Sequence, residues 1–483
     1  MTPAIKGLKP ELLWRYFAEL STVPRCSKHE GKAAAFVMDA ARKLKLVSQQ
    51  DAFGNVLVRK KATAGRANRP AVVLQSHLDM VCEKNRDTRH DFSKDPIALQ
   101  RNGDFLTADG TTLGADNGIG VGAMLAIMEA STLQHGPLEF LFTLDEETGL
   151  TGANNLKPGF IASRLLINLD SEDEGSLCVG CAGGGDSVGT LAVAYGPMPP
   201  KHTLVKLSVT GLRGGHSGID IHCGRGNAIK LLGRALYEFS NLDVKLCSID
   251  GGNKRNAIPR ECSAVLAIPS ASMEKFKTMT SALDNVYKAE YAVVDRKVSL
   301  AAQTLRGKKT PVMKKKMHDR LVNLVYALPH GVLAMSPVIK GLVETSTNLA
   351  TISTTPKTVI IQTSQRSSVE SEKRDAMQMV TAHFKLAGAN VVHADGYPGW
   401  KPNLGSPILK LAKETYKKMF GREPVVEAIH AGLECGIIGE KYPGMDMISL
   451  GPTMKMVHSP EERVEVKSVK RFWDFLVAVL ERV

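Results

Sequence analysis

Residues Phe140-Leu141-Phe142-Thr143-Leu144 form a largely apolar run that stops abruptly at three consecutive acids, Asp145-Glu146-Glu147, followed by Thr148-Gly149. The run reads as a strand packed on both faces. Carboxylates crowded at the end of such a strand repel one another and lose hydration unless a cation or a proton sits among them. Partners for these acids must therefore come from elsewhere in the chain.

A second apolar strand, Ala71-Val72-Val73-Leu74-Gln75-Ser76, ends at His77-Leu78-Asp79. Residues two apart on an extended chain share a face, so Asp79 is placed to hold the His77 imidazole while Leu78 turns inward. Asp116 lies in a Gly-rich loop, Gly110 to Gly120, just before a stretch of small apolar residues, Val121 to Ala130, that reads as a buried helix. A further strand, Leu165-Leu166-Ile167-Asn168-Leu169-Asp170, runs into Ser171-Glu172-Asp173-Glu174. Taken singly, these features have ordinary readings: a locally bonded strand-end histidine, and an Asp-Asn-Gly turn or helix cap. Taken together, four strands that finish or hand over in His77/Asp79, Asp116, Glu146/Glu147 and Asp170 and alternate with helices predict an open α/β sheet with its site at the carboxyl ends. One histidine among several carboxylates suits a hard to borderline divalent cation such as zinc.

Length and composition bound the alternatives. A chain of 483 residues, 43% of them hydrophobic, can bury a large core and divide into two or more domains. Its N-terminal residues lack the apolar core of a signal peptide and no run approaches a membrane span, so cytoplasmic residence and no membrane partner are the default expectation. The eight cysteines are scattered; Cys178 and Cys181 form a lone C-x-x-C without a zinc-ribbon partner, and structural or free thiols are expected. The net charge of +13 raises the question of a polyanion partner. The densest basic stretch, Arg306 to Arg320, reads as a solvated loop and helix start, and with no nucleic-acid module in view nucleic acid is not expected as a partner.

Along the rest of the chain, apolar spacing predicts helices over Leu12 to Leu20 and from about Ser27 to Leu44, with short strands on either side of the Asp51 to Asn55 turn. Beyond Gly183-Gly184-Gly185 the texture changes to alternating strands such as Val205 to Val209, with helices at Ala228 to Phe239 and near Glu274 to Leu283. A final portion carries a helix at Pro407 to Phe420, a strand at Met445 to Leu450 and a closing helix at Val466 to Leu480. The expected organisation is a catalytic domain in two parts, 1–186 and 398–483, interrupted by an α+β domain over 187–397.

Six segments taken in order resemble the M20 metallopeptidases: Ser76 to Val81, Leu113 to Gly118, Glu146 to Gly149, Asn168 to Glu172, Gly214-Gly215-His216-Ser217-Gly218 and His458-Ser459-Pro460. Asn253 to Pro259, Tyr397 to Trp400 and His430 to Gly436 resemble, more narrowly, the aminoacyl-histidine dipeptidases. The similarity runs from about residue 8 to the C-terminus. It implies an open mixed-sheet zinc-peptidase domain with an inserted lid and dimerisation domain, and a homodimer. It also implies two Zn2+ per subunit, with Mn2+ or Co2+ as possible substitutes. Asp116 would bridge them, His77 and Asp170 would hold one and Glu147 and His458 the other. By the same resemblance Asp79 fixes the tautomer of His77, Glu146 is the general base and His216 stabilises the oxyanion. Asn256 and Arg366 would bind the substrate carboxylate, and the Asp116-Asn117 peptide would be cis.

The chemistry is consistent with that assignment. Two metals about 3.5–4 Å apart can lower the pKa of a shared water and polarise a carbonyl, while a carboxylate beside them moves the proton. Adjacent residues cannot face one metal equally, so a Glu-Glu pair can divide into ligand and base, leaving Asp145 a capping or solvated role. The expected function is hydrolysis of short peptides, Xaa-His dipeptides and carnosine-like molecules among them. An amidohydrolase or a peptidase of another preference is the enzymatic alternative, and a metal-containing polyanion-binding protein the non-enzymatic one.

Overall fold

The computed structural model describes residues 2–306, 310–394 and 396–483. Its contacts divide the chain into two compact units: Met1–Cys181 with Trp400–Ala428 and Leu433–Val483, and Ala182–Gly399 with Ile429–Gly432. The first unit is thus built from separated segments of the chain.

The first unit is organised by an eight-stranded sheet. Its spatial order is Val47–Gln50, Val56–Lys60, Leu138–Thr143, Val72–His77, Leu165–Asn168, Asp446–Ser449, Ser176–Cys181 and Val425–Ile429. The four strands from Leu138–Thr143 to Asp446–Ser449 run parallel, and the pairings of Val56–Lys60 and of Ser176–Cys181 with them are antiparallel. Both Val72–His77 and Leu138–Thr143 are buried along their whole length, which explains their unbroken apolar sequences. The helix Ala115–Glu129 is buried at every position from Ala115 to Met128, so it has no polar face to present. The helix Glu11–Leu20 lies on it and sets Phe17 in the core at no exposure; Phe17→Ala would cost about 3–5 kcal/mol.

The ends of the parallel strands deviate from regular structure where the acids lie. Asp145 takes a left-handed conformation at φ 49°, turning the strand into the one-turn helix Glu146–Gly149. Its buried carboxylate accepts the hydroxyls of Thr148 and Thr151 but no backbone N–H of the turn, so the expected capping or solvated role gives way to a buried side-chain anchor. Asp116 and Asn117 depart from helical dihedrals at the start of their helix, and the peptide between them is cis.

The second unit carries a nine-stranded sheet in the order Ser299–Thr304, His202–Thr210, Cys262–Pro269, Lys245–Gly251, Val343–Thr354, Thr358–Ser367, Gly183–Ala192 and Asn390–His393, with Gly331–Met335 pairing on Val343–Thr354. Helices Ala228–Glu238, Met273–Glu290, Lys315–Ala327 and Glu370–Leu386 contribute to its hydrophobic core. Asn227 caps the first of them, its Oδ1 accepting the N–H of Ile229 at 2.9 Å and of Lys230 at 3.2 Å. This is the inserted α+β architecture that the resemblance implies.

Two local readings need amendment. The helix expected from Ser27 begins at Gly31, because Ser27 Oγ donates to Asp79 Oδ2 at 2.8 Å and Lys28 takes φ 70°. The helix near Glu274 to Leu283 continues to Glu290. Cys26 and Cys82, far apart in sequence, form a disulfide, whereas Cys178 and Cys181 are buried and not disulfide-bonded, in keeping with a structural role. In the basic stretch, Lys314, Lys315 and Lys316 are exposed at a helix start, with Lys315 paired to Asp319; Lys308 and Lys309 lie outside the described residues.

Candidate active site

Five side chains expected as metal ligands converge in the first unit. His77 ends its strand with Nε2 3.1 Å from Asp116 Oδ1 and 3.2 Å from Asp170 Oδ1. His458 comes from a loop near the C-terminus, its Nε2 3.1 Å from Asp116 Oδ2 and 3.0 Å from Glu147 Oε2. The two oxygens of Asp116 therefore face different imidazoles. Two groups able to hold a metal ion share that residue, His77/Asp116/Asp170 and Asp116/Glu147/His458. Asn117 Nδ2 donates to Leu169 O at 2.8 Å and also to Asp170 Oδ1, tying the Asp116 turn to the neighbouring strand end.

Asp79 lies beneath this cluster with no exposure. Its Oδ1 is 3.2 Å from His77 Nδ1 and accepts the Glu146 N–H at 3.0 Å, while Oδ2 accepts the Glu147 N–H at 3.2 Å. Glu146 offers an oxygen within 4.8 Å of both a His77 nitrogen and a Glu147 oxygen. The two glutamates thus emerge from one turn into one cluster.

The electrostatics follow from burial against pairing. Burial alone would depress His77, but Asp170, Asp116 and Asp79 outweigh it and hold the imidazole well above its usual range. Hydrogen bonds to Asp116 and Glu147 lift His458 to about 11. Burial raises the Asp170 carboxyl to about 6 and that of Glu146 well above the usual range. Burial would also raise Asp79, yet its bonds to His77, Ser27 and Glu146 bring it down to about 2. This field favours positive charge at the centre of the cluster. Glu147 Oε1 is buried with no hydrogen-bond partner, an acceptor that a cation would satisfy. The nitrogen and carboxylate donors fit a borderline divalent ion.

His216, Asn256 and Arg366 all belong to the second unit. His216 Nδ1 accepts the N–H groups of Gly218 at 3.3 Å and Ile219 at 3.1 Å, which leaves the ring proton on Nε2. Burial and the charge of Arg366 lower this imidazole to about 4, so it is neutral near pH 7. Gly218 is required here, since a Cβ would stand 2.1 Å from the His430 carbonyl oxygen. Asn256 is exposed, and its carbonyl accepts the Ser217 N–H at 2.9 Å. Buried Arg366 donates from Nη1 to the Tyr397 hydroxyl at 2.8 Å, while its Nε has no partner. Buried His430 likewise leaves Nδ1 unpartnered, its Nε2 lying 2.7 Å from Ser346 Oγ.

Reasoning from sequence gave no role to Tyr397 or His430, although both stand in segments that carry the resemblance. It also passed over Glu434. This fully buried carboxylate accepts Gln75 Nε2 at 2.5 Å and Thr143 Oγ1 at 2.7 Å, and Gln75 Oε1 in turn accepts Asn168 Nδ2 at 2.6 Å. The bonds run below the strand ends that carry His77 and Asp170. The signal available was an acid within the His430 to Gly436 segment.

Fold and site together define a hydrolase of mixed α/β architecture. The chain belongs to peptidase family M20/M25/M40, whose sequence profile matches residues 73–482. It is 41% identical over 480 residues to the cytosol non-specific dipeptidase of Escherichia coli (strain K12), covering 99% of each chain. The crystal structure of aminoacylhistidine dipeptidase from Vibrio alginolyticus is similar at a TM-score of 0.92 and 40% identity, over 100% of this chain and 98% of that one. The aminopeptidase PepT structure from Bacillus cereus, at a TM-score of 0.57 and 17% identity over 98% of each chain, shares the fold.

Proposed function

We propose that this chain is a dinuclear zinc dipeptidase that hydrolyses short peptides with a free carboxylate, Xaa-His dipeptides and carnosine-like molecules among them. The observation that carries the reading is the double engagement of Asp116, with His77 and Asp170 on one side and His458 and Glu147 on the other. Those five residues would hold the ions, with Mn2+ or Co2+ as possible substitutes. When bound, such a pair supplies a lowered water pKa and polarisation of the scissile carbonyl.

The remaining steps fall to the chain. Asp79 holds His77 through Nδ1, leaving Nε2 as the ligand atom. Glu146 takes the proton of the attacking water and passes it to the leaving amine; burial beside the cluster raises its carboxyl toward the range such a shuttle needs. His216 offers its Nε2–H to the developing oxyanion. Arg366, with its unpartnered Nε, and Asn256 receive the terminal carboxylate, a guanidinium being suited to it through parallel hydrogen bonds.

The names of the two similar dipeptidases support this substrate class and differ on its breadth. Metal-stripped protein re-supplied with zinc, manganese or cobalt and assayed on Xaa-His dipeptides, other dipeptides and N-acyl amino acids tests the reading. Turnover of N-acyl amino acids alone would favour the amidohydrolase alternative. Activity without any divalent ion would overturn the metal assignment.

Cytoplasmic residence belongs to the same proposal, on the strength of the Escherichia coli relative's name. So does a homodimer: the edge strand Gly331–Met335 exposes Val332, Leu333 and Met335, with Val338 exposed just beyond it, an apolar edge that a second copy can cover. A single monomeric species in sedimentation would reject the dimer.

A further inference from the structure

Four residues beyond His458, the Glu462 side chain is only 2% exposed. Its Oε2 accepts the N–H of Leu113 at 2.8 Å and of Gly114 at 3.0 Å, and its Oε1 accepts Ala115 at 2.8 Å and Asp116 at 3.4 Å. One carboxylate thus collects successive backbone donors leading into Asp116. The N–H groups of Leu113 and Gly114 lead into the helix Ala115–Glu129 and those of Ala115 and Asp116 begin it, where donors have no partner within the helix and the helix dipole favours negative charge.

The far side of the same turn is held by Arg25. This buried guanidinium donates from Nη2 to Gly114 O and from Nη1 to Leu78 O at 3.1 Å and Asp79 O at 2.9 Å. Gly114 is therefore gripped at its N–H by Glu462 and at its carbonyl by Arg25. Its φ of 68° and the 2.4 Å from an added Cβ to Arg25 Nη2 leave no room for a side chain.

Glu462 also closes the turn that carries His458. Its own N–H donates to Ser459 O at 3.0 Å, and Ser459 Oγ donates to Met456 O at 2.7 Å. Met456 and His458 both take left-handed dihedrals, φ 56° and 63°, which side-chain-bearing residues keep only where their surroundings hold them. The Glu462 side chain fixes the backbone of Asp116 while its main chain fixes the turn of His458, and these two residues meet at 3.1 Å.

We propose that Glu462 is a positioning residue that sets Asp116 against His458 and thereby the affinity of the centre for its second ion. This rests on the dinuclear reading above. A residue supporting a ligand in this way typically changes metal affinity by about 10–100-fold when replaced. Glutamine keeps the volume of Glu462 but turns an N–H2 toward backbone donors, and aspartate keeps the charge but falls short of the full set.

The test compares full-length wild type, E462Q, E462D and the control E139Q. Glu139 is a buried carboxylate that also accepts backbone N–H groups, from Ala162 at 2.9 Å and Ser163 at 2.8 Å, but sits near the opposite end of its strand. Zinc affinity of metal-stripped protein is measured by chelator competition, with circular dichroism as the check on folding and dipeptide turnover as a second readout. The expected result is zinc binding weakened about 10–100-fold in E462Q at the weaker site, a smaller loss in E462D, and wild-type affinity in E139Q. Wild-type affinity in folded E462Q overturns the proposal, as does an equal loss in E462Q and E139Q. Should E462Q not fold, E462D decides: weakened zinc binding supports the role, and unchanged binding overturns it. Wild type that binds no zinc and cleaves no dipeptide rejects the dinuclear reading itself, an outcome distinct from these.

Discussion

Asp79 Oδ1 accepts the backbone N–H of Glu146 at 3.0 Å, so the carboxylate that orients His77 also anchors the acidic turn. The other oxygen, Oδ2, takes the N–H of Glu147 and the hydroxyl of Ser27. A single buried group therefore couples two strand ends whose residues are distant in sequence. Its position makes the geometry of the acids depend on the histidine strand.

Replacing Asp79 should act on both strands at once. In D79N the amide must turn N–H2 toward some of the donors that the carboxylate accepts, and the His77 tautomer loses its charged partner. Metal affinity should fall by about 10–100-fold, with turnover reduced even at saturating zinc. Chelator competition and steady-state kinetics check this; wild-type affinity in a folded D79N would remove the orienting role.

The neighbouring glutamates should separate by function. E146Q keeps the shape of the turn, since its backbone bond to Asp79 is unaffected, but cannot accept a proton. Zinc content should stay at the wild-type level while kcat falls by about 10²–10⁴-fold, the usual contribution of a positioned acid or base. E147Q should instead lose metal. Equal metal loss in both variants would contradict the division between base and ligand.

What the sequence showed of this arrangement depended on periodicity and on strand ends. Leu138 to Thr143 and Val72 to His77 announce themselves as buried strands because each is continuously apolar, and their polar terminations mark the site. His458 is carried by a loop and became visible only through the ordered resemblance of its segment. Glu462 and Arg25 were invisible for a physical reason, and Glu434 was marked only by its place in the His430 to Gly436 segment. Each acts through backbone groups or buried amides brought close by the fold, and no local spacing encodes such contacts. The Cys26 and Cys82 pairing is of the same kind, since scattered cysteines do not reveal their connectivity.

Arg366 should govern recognition of a terminal carboxylate. Its Nε has no protein partner although the side chain is buried, so a charged acceptor would complete its bonding. A hydrogen bond to a charged group is worth about 1.5–3 kcal/mol, so R366A should raise KM for dipeptides by roughly 10–100-fold. The same measurement on C-terminally amidated dipeptides separates recognition from general damage. Wild type should discriminate against the amide and R366A should not; unchanged discrimination would show that the carboxylate is bound elsewhere.

Glu434 should give the metal-free protein a distinctive pH dependence. Burial raises its carboxyl from 4.5 to about 7, and Oε1 has no hydrogen-bond partner. Between those values the folded state retains a proton that the unfolded chain releases. This contribution to stability is therefore fully present below pH 4.5 and is lost as pH rises through about 7. The displacement corresponds to on the order of 3 kcal/mol for this fully buried group. In E434Q the amide cannot ionise, and its oxygen can still accept from Gln75 and Thr143. Thermal melts across this window should show wild type losing stability relative to E434Q, with the variant gaining a few degrees in Tm on the alkaline side and no such advantage below pH 4.5. The melts belong on metal-free protein, because bound cations nearby would lower the carboxyl. Parallel pH profiles for the two proteins would show that Glu434 does not titrate across this range and that the buried chain through Gln75 and Asn168 rests on an ionised carboxylate.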